Sequence, residues 1–194
     1  LNVASESFEN KDYKKALSQY LTINPPTKDS LLGIAACYQG LEDLQNAIEY
    51  YKKAEKIAPN DGEIPYYIGY LYSEQQKWIE AEGYLRKSVK LKDNSDVKNL
   101  LSYVVQNRVA KMLEEGVNLF ENNRYDEALL KFNDAIQKDN TNAYAYYYRG
   151  LIFDEQNKTQ QAISDYVNVL KYSQEYPIAN YMLAVDYDKI SKYK

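Results

Sequence analysis

Few side chains in this sequence are suited to covalent chemistry. It has no histidine, which removes the commonest general base and metal ligand. A single cysteine, Cys37, leaves no partner for an intrachain disulfide and no cysteine-based zinc site. Cys37 lies two residues past the small Ala35, and a buried, inert thiol is expected there. A Ser-x-x-Lys string occurs at Ser95–Lys98. A serine nucleophile needs an activating group and donors for an oxyanion; Ser95 stands where a helix should begin, and capping accounts for it. The adjacent acids Glu114-Glu115 and Asp154-Glu155 point in different directions from a helix and read as solvated faces. No Gly-rich loop followed by lysine is present to cradle phosphate. Asn157-Lys158-Thr159 fits a glycosylation sequon, with nothing else to indicate secretion. The chain is therefore read as a non-enzyme, with no metal and no cofactor.

Bulk properties narrow the partners. A formal charge of -4 and a pI near 5.1 weigh against nucleic acid, whose binding needs a concentrated positive field. No stretch approaches the roughly 18–20 apolar residues of a membrane helix. The first residues, Leu1-Asn2-Val3-Ala4, lack the basic and apolar regions of a signal peptide. A cytoplasmic setting is slightly favoured, although both ends read as cuts through a longer array and a targeting segment could lie outside.

The elements that position side chains are visible as a repeat. An alanine, an aromatic or leucine four residues on, and in most copies a small residue three further recur as Ala47…Tyr51…Ala54, Ala81…Leu85…Ser88, Ala128…Phe132…Ala135 and Ala162…Tyr166…Val169, with a weaker Ala16…Tyr20…Ile23. The alanines are spaced 31, 34, 47 and 34 apart. Twelve residues before each comes another small residue: Ala4, Ala35, Gly69, Gly116 and Gly150. Ala184 is the next in phase. Apolar spacing of three and four marks one face of a helix. Short polar turns such as Asn10-Lys11-Asp12 and Asn122-Asn123-Arg124 make the segments antiparallel hairpins. Small residues at two fixed positions let paired helices approach closely, and the aromatic and leucine positions fill the space around the contact. Tyrosine is abundant, at 22 copies; AT-rich coding would account for the total, since lysine and asparagine are abundant too, but not for its placement.

The pattern resembles the tetratricopeptide repeat (TPR) family, whose 34-residue unit has small residues at positions 8 and 20 and proline near 32. Only Pro59 keeps the proline; Asp93, Asn140 and Gln174 stand there in other copies. The resemblance implies an all-α fold, a right-handed superhelical solenoid of antiparallel helix hairpins. Its register gives a partial repeat at 1–27, complete repeats at 28–61 and 62–95, an insert at 96–108, complete repeats at 109–142 and 143–176, and the first helix of a truncated repeat at 177–194. Pro25-Pro26 should cut the second helix of the first repeat short. The insert continues in helical phase through Val97, Leu100, Leu101, Val104 and Val105. It reads as one helix from about Asp96 to Phe120 or as a separate short helix with a kink near Asn107.

By the same resemblance, first helices line a concave groove through positions 2, 5, 9 and 12. The partner-binding residues so placed are Tyr66, Tyr70, Leu113, Val117, Tyr144, Tyr147, Leu151, Asp154, Tyr181, Val185 and Asp188, with Glu74 and Glu121 at the neighbouring position 13. Leu32, Ala36 and Gln39 fall in the same series. The basic residues with which some relatives grip a carboxylate tail are absent, so a partner of that kind is not expected. The expected function is a protein–protein interaction scaffold. Its partner would be a peptide or amphipathic helix of another protein, apolar with a basic flank. Self-assembly through repeat stacking, with possible self-association, and a regulatory segment of a larger enzyme are the alternatives. Position 7 departs from its usual leucine as Glu115 and Arg149, for which an ion pair between neighbouring repeats is expected.

Overall fold

The computed structural model describes residues 2–173 and 176–192. Among these lie eleven helices and no strand. They are α1 (Asn2–Glu9), α2 (Tyr13–Tyr20), α3 (Lys28–Gly40), α4 (Leu44–Ile57), α5 (Glu63–Glu74), α6 (Trp78–Leu91), α7 (Ser95–Glu121), α8 (Tyr125–Lys138), α9 (Ala143–Glu155), α10 (Thr159–Tyr172) and α11 (Pro177–Lys192). The chain forms two compact units, Leu1–Val105 and Gln106–Lys194. In the first, α1 packs on α2, α3 on α4 and α5 on α6, and the start of α7 joins α6 through Val97 and Val104. In the second, the remainder of α7 shares a core with α8, α9 packs on α10, and α11 packs on α10. The insert is helical, and α7 is a single helix of 27 residues. Gln174 lies outside the described residues.

The hairpins α1/α2, α3/α4, α5/α6, α7/α8 and α9/α10 close with one shared turn. Lys11, Glu42, Gln76, Asn123 and Asn157 adopt left-handed backbone angles, with φ between 55° and 62°. The amide after each donates to a carbonyl five residues back: Asp12 to Ser7, Asp43 to Tyr38, Lys77 to Tyr72, Arg124 to Leu119 and Lys158 to Phe153, at 2.8–2.9 Å. The left-handed residue's own amide donates three residues back, as from Glu42 to Gln39 at 3.0 Å. This double closure satisfies carbonyls that a helix end leaves orphaned. The next residue then starts the second helix, and Asp12 and Asp43 cap it by accepting from the amides of Lys15 and Asn46. Lys77, Arg124 and Lys158 stand in that place without a side-chain cap.

Close approach of the paired helices explains the small residues. Ala16, Ala47, Ala81, Ala128 and Ala162 are fully buried, and Gly69, Gly116 and Gly150 face the second helix. A Cβ on Gly116 would lie 2.9 Å from the Phe132 ring, one on Gly69 2.8 Å from Leu85, and one on Gly150 2.8 Å from Tyr166. The helices sit where glycine leaves room for a large side chain sixteen residues on. Replacing Ala128 with leucine is expected to cost about 1–3 kcal/mol by overpacking; an unchanged melting temperature would contradict this packing. Ala184 behaves differently. It is exposed, as is Tyr187, and α11 is buried through Ala179, Leu183 and Asp186 instead. The contact that buries its counterparts comes from the second helix of the same hairpin, and no described helix supplies it here.

The expected ion pair between Glu115 and Arg149 is replaced by two pairs inside hairpins. Glu115 meets Lys131 at 2.6 Å. Arg149 grips Asp165 with two bonds of 2.7 Å and gives a third, also 2.7 Å, to the Asn133 amide oxygen. Both partners lie sixteen residues downstream, the offset that antiparallel pairing places across the hairpin. Ile34 and Tyr50, and Ile68 and Tyr84, occupy the same two positions in the other complete repeats. The Glu115 pair is exposed on both sides and is worth about 0–1 kcal/mol.

Candidate functional site

In the first unit the groove positions fall on α3 and α5. Tyr66 and Tyr70 are half-buried, with ring centroids 6.4 Å apart, and Tyr66 also meets Tyr67 at 5.4 Å. Glu74, the last residue of α5, is exposed. On α3, Leu32, Ala36 and Gln39 open into a depression of about 420 Å³. Four aromatic residues also line it: Phe8 from α1, Tyr20 from α2, Tyr51 from α4 and Tyr67 from α5. Glycine at position 33 sets its shape, because the Tyr20 ring lies 2.5 Å from where a Cβ would stand. Tyr51 and Tyr67 stack at 5.2 Å, the Tyr51 hydroxyl is 3.4 Å from the Gln39 amide oxygen, and Tyr20 shares a 3.2 Å hydrogen bond with Ser5. Asp29, on the first turn of α3, supplies the only charge among the lining residues.

In the second unit, Leu113 and Val117 of α7 rest half-buried on the core of Val109, Ala128 and Phe132, with Glu121 exposed at the helix end. On α9, Tyr144 keeps 37% of its surface exposed. Its ring lies 4.8 Å from Tyr148, and burial with a hydrogen bond to Tyr148 pushes its hydroxyl up to about 12. Tyr147 is half-buried between Tyr148 and Tyr176, at 5.4 and 5.7 Å. Leu151 packs beside the core of α10 and α11. On α11, Tyr181 is 67% exposed, Val185 half-buried and Asp188 exposed.

Asp154 differs from the rim acid its position suggests. Its side chain is only 12% exposed. It accepts a 2.7 Å bond from the Tyr166 hydroxyl and a 3.2 Å bond from the Lys189 ammonium, which also reaches Asp186 at 2.7 Å. Asp186 is fully buried, and burial holds its carboxyl above the usual range against the pull of Lys189. Asp154 is thus drawn into the α9–α11 contact, its charge partly offset. Lys189 is the residue whose partnership the register did not reveal; it follows Asp188 directly, at the position that Glu74 and Glu121 hold in their repeats.

The motifs whose residue types could do chemistry are engaged structurally. Asn94, not Ser95, caps α7, through the amides of Asp96 and Val97, and Lys98 pairs with Asp93. Cys37 is buried, and burial pushes its thiol up to about 11, which keeps it protonated and unreactive. Asn157 occupies a hairpin turn. Among the described residues no three His, Cys, Asp or Glu side chains converge as metal ligands do.

Residues 29–61 and 144–173 match tetratricopeptide repeat family profiles, and residues 116–157 match a TPR repeat profile. The chain is a tetratricopeptide repeat protein. Its TPR architecture is similar to that of the P58(IPK) TPR domain, at a TM-score of 0.54 and 17% identity over 99% of this chain and 55% of that one. YrrB, described as a TPR protein with an unusual peptide-binding site, is 19% identical at a TM-score of 0.44, over 93% and 88% of the two chains. A curated relative, the transcriptional activator NprA of Geobacillus stearothermophilus, is 31% identical over 193 residues, covering 84% of this chain. The chain spans 44% of that relative's length. The TPR fold is that of a protein–protein interaction scaffold.

Proposed function

We propose that this TPR protein holds a peptide or an amphipathic helix of another protein against the exposed face of its first helices. The observation that carries the reading is the aromatic surface left open on those helices, with Tyr144 and Tyr181 exposed on α9 and α11. In the second unit the surface includes Tyr147, Leu113, Val117, Leu151 and Val185; in the first, Tyr66 and Tyr70. Tyrosine offers large contact area at small entropic cost and a hydroxyl for hydrogen bonding. Exposed Glu74 and Glu121 border the two surfaces, Asp188 adds a third acid, and Asp154 contributes a charge already shared with Lys189. A complementary ligand is apolar along one stripe and basic along its edge, as amphipathic helices are.

The test is capture of a partner by the chain and by the variant Tyr70→Ala with Tyr147→Ala. An aromatic anchor at the centre of an interface carries about 2 kcal/mol or more, so loss of the anchor in the unit that holds the partner should weaken capture about 30-fold or more. Helical circular dichroism should be kept. Glu74→Gln with Glu121→Gln should weaken capture modestly and mainly at low salt, since rim charges act on association rate. Undiminished capture after the tyrosine changes would remove this reading. A second reading, self-assembly, draws on Ile178 and Tyr181, exposed large side chains one turn apart on α11; light scattering that rises with concentration would favour it. The kinship with a transcriptional activator supports a regulatory setting for either contact.

A further inference from the structure

The depression in the first unit has the composition of a receptor for a cation. Its walls are the rings of Phe8, Tyr20, Tyr51 and Tyr67, its floor is held open by Gly33 and Ala36, and its rim carries the Asp29 carboxylate. No lysine or arginine lines it. Lys28, the neighbour of Asp29 in sequence, gives its ammonium to Asp61 at 3.1 Å. The Asp29 carboxylate takes part in none of the ion pairs formed among the described residues. Aromatic faces attract cations, more strongly when water is partly excluded, and a nearby carboxylate adds to that attraction.

The geometry points to this depression as the seat of an arginine side chain from the bound partner segment, its guanidinium against the tyrosine rings and its fork turned to Asp29. Arginine suits the site better than lysine, because its planar, weakly hydrated head stacks on aromatic faces and meets a carboxylate with two parallel bonds. The assignment rests on the reading of this protein as a peptide-binding scaffold, and it names the basic element of the ligand and where that element sits.

The experiment is a nuclear magnetic resonance titration of the whole chain, following the ring signals of its phenylalanines and tyrosines. Three probes are added: the acetylated tripeptide amide Leu-Arg-Leu, the same peptide with citrulline in place of arginine, and the same with lysine. The arginine probe should move the signals of Phe8, Tyr20, Tyr51 and Tyr67 saturably. Citrulline, equal in shape but neutral, should bind about tenfold more weakly, and lysine should fall between. Asp29→Asn, an exposed change compatible with folding, should weaken the arginine probe about threefold or more and leave citrulline unaffected. Ala36→Leu should fill the floor and abolish the shifts. Equal binding of citrulline and arginine overturns the assignment, as does an arginine probe indifferent to Asp29→Asn or one that leaves the four rings unmoved. If those rings stay unmoved while Tyr70→Ala with Tyr147→Ala still abolishes partner capture, the arginine seat falls alone and the groove reading stands.

Discussion

Truncating Phe132 to alanine is expected to destabilise the second unit by about 3–5 kcal/mol, the range for removing a fully buried aromatic side chain. Phe132 is wholly buried and spans three helices. It lies on α8, its ring covers Gly116 of α7, and it stacks on Tyr148 of α9 at 5.5 Å with an 18° angle between planes. Glycine cannot relax into the vacated space, because it has no side chain to move, so the cavity persists. The stacking with Tyr148 is lost as well, adding to the cost of lost burial. Chemical denaturation followed by circular dichroism measures the effect. A loss below about 1 kcal/mol would mean that the three-helix contact is looser than described.

Arg149→Met should cost about 3 kcal/mol near neutral pH, because it strands one partner of a buried pair. Asp165 is 3% exposed and Arg149 20%. The guanidinium makes both bonds to the carboxylate and also joins α9 to Asn133 on α8. Burial raises the Asp165 carboxyl above its ordinary value even with Arg149 beside it, and the arginine opposes that rise. An acid raised in this way binds its proton more tightly when folded than when unfolded. Its contribution to stability is therefore present below the unfolded value and lost as pH rises through the folded one. Removing Arg149 raises the folded value further, so the deficit should be small at an acid pH, where the carboxyl is protonated with or without the arginine, and grow toward an alkaline one. Melting curves at the two pH values check this, and a deficit that does not change with pH would show Asp165 to be solvated rather than buried.

The hairpins were legible because their strictest requirement is written in residue size. Where two helices touch, only glycine, alanine or a similar small residue fits, and no other demand on the sequence produces that pattern at a fixed interval. Charge pairing was less legible. Glu115 and Arg149 stand one repeat apart and have opposite sign, which suggested each other. Their real partners, Lys131 and Asp165, lie across each hairpin, at the same offset that pairs Gly116 with Phe132 and Gly150 with Tyr166. That offset was already present in the positions of the small and large residues and could have been applied to the charges. The exposure of aromatic side chains was the hardest to read. Tyr66, Tyr70, Tyr144 and Tyr181 all fall in the groove series, yet the first two are half-buried and the last two open. The difference depends on which neighbouring helix covers each ring. Likewise Asp154 sits at a groove position, but Lys189, 35 residues away, decides how much of its charge reaches solvent.

The hairpin turn constrains where the length of such a chain can vary. One residue ends a helix in the left-handed conformation, and the next both completes that ending and begins the following helix. Insertion of even one residue there would disconnect the two closures and shift the second helix about 100° out of phase with the first. The spacing across each hairpin turn is therefore fixed, whereas the connections between hairpins carry no such double duty. The 13 residues that break the repeat spacing lie at one of those connections, at the start of α7, and leave all five hairpin turns intact. Sequence drift in this architecture can lengthen the spacers, while the residue count across each hairpin turn is held.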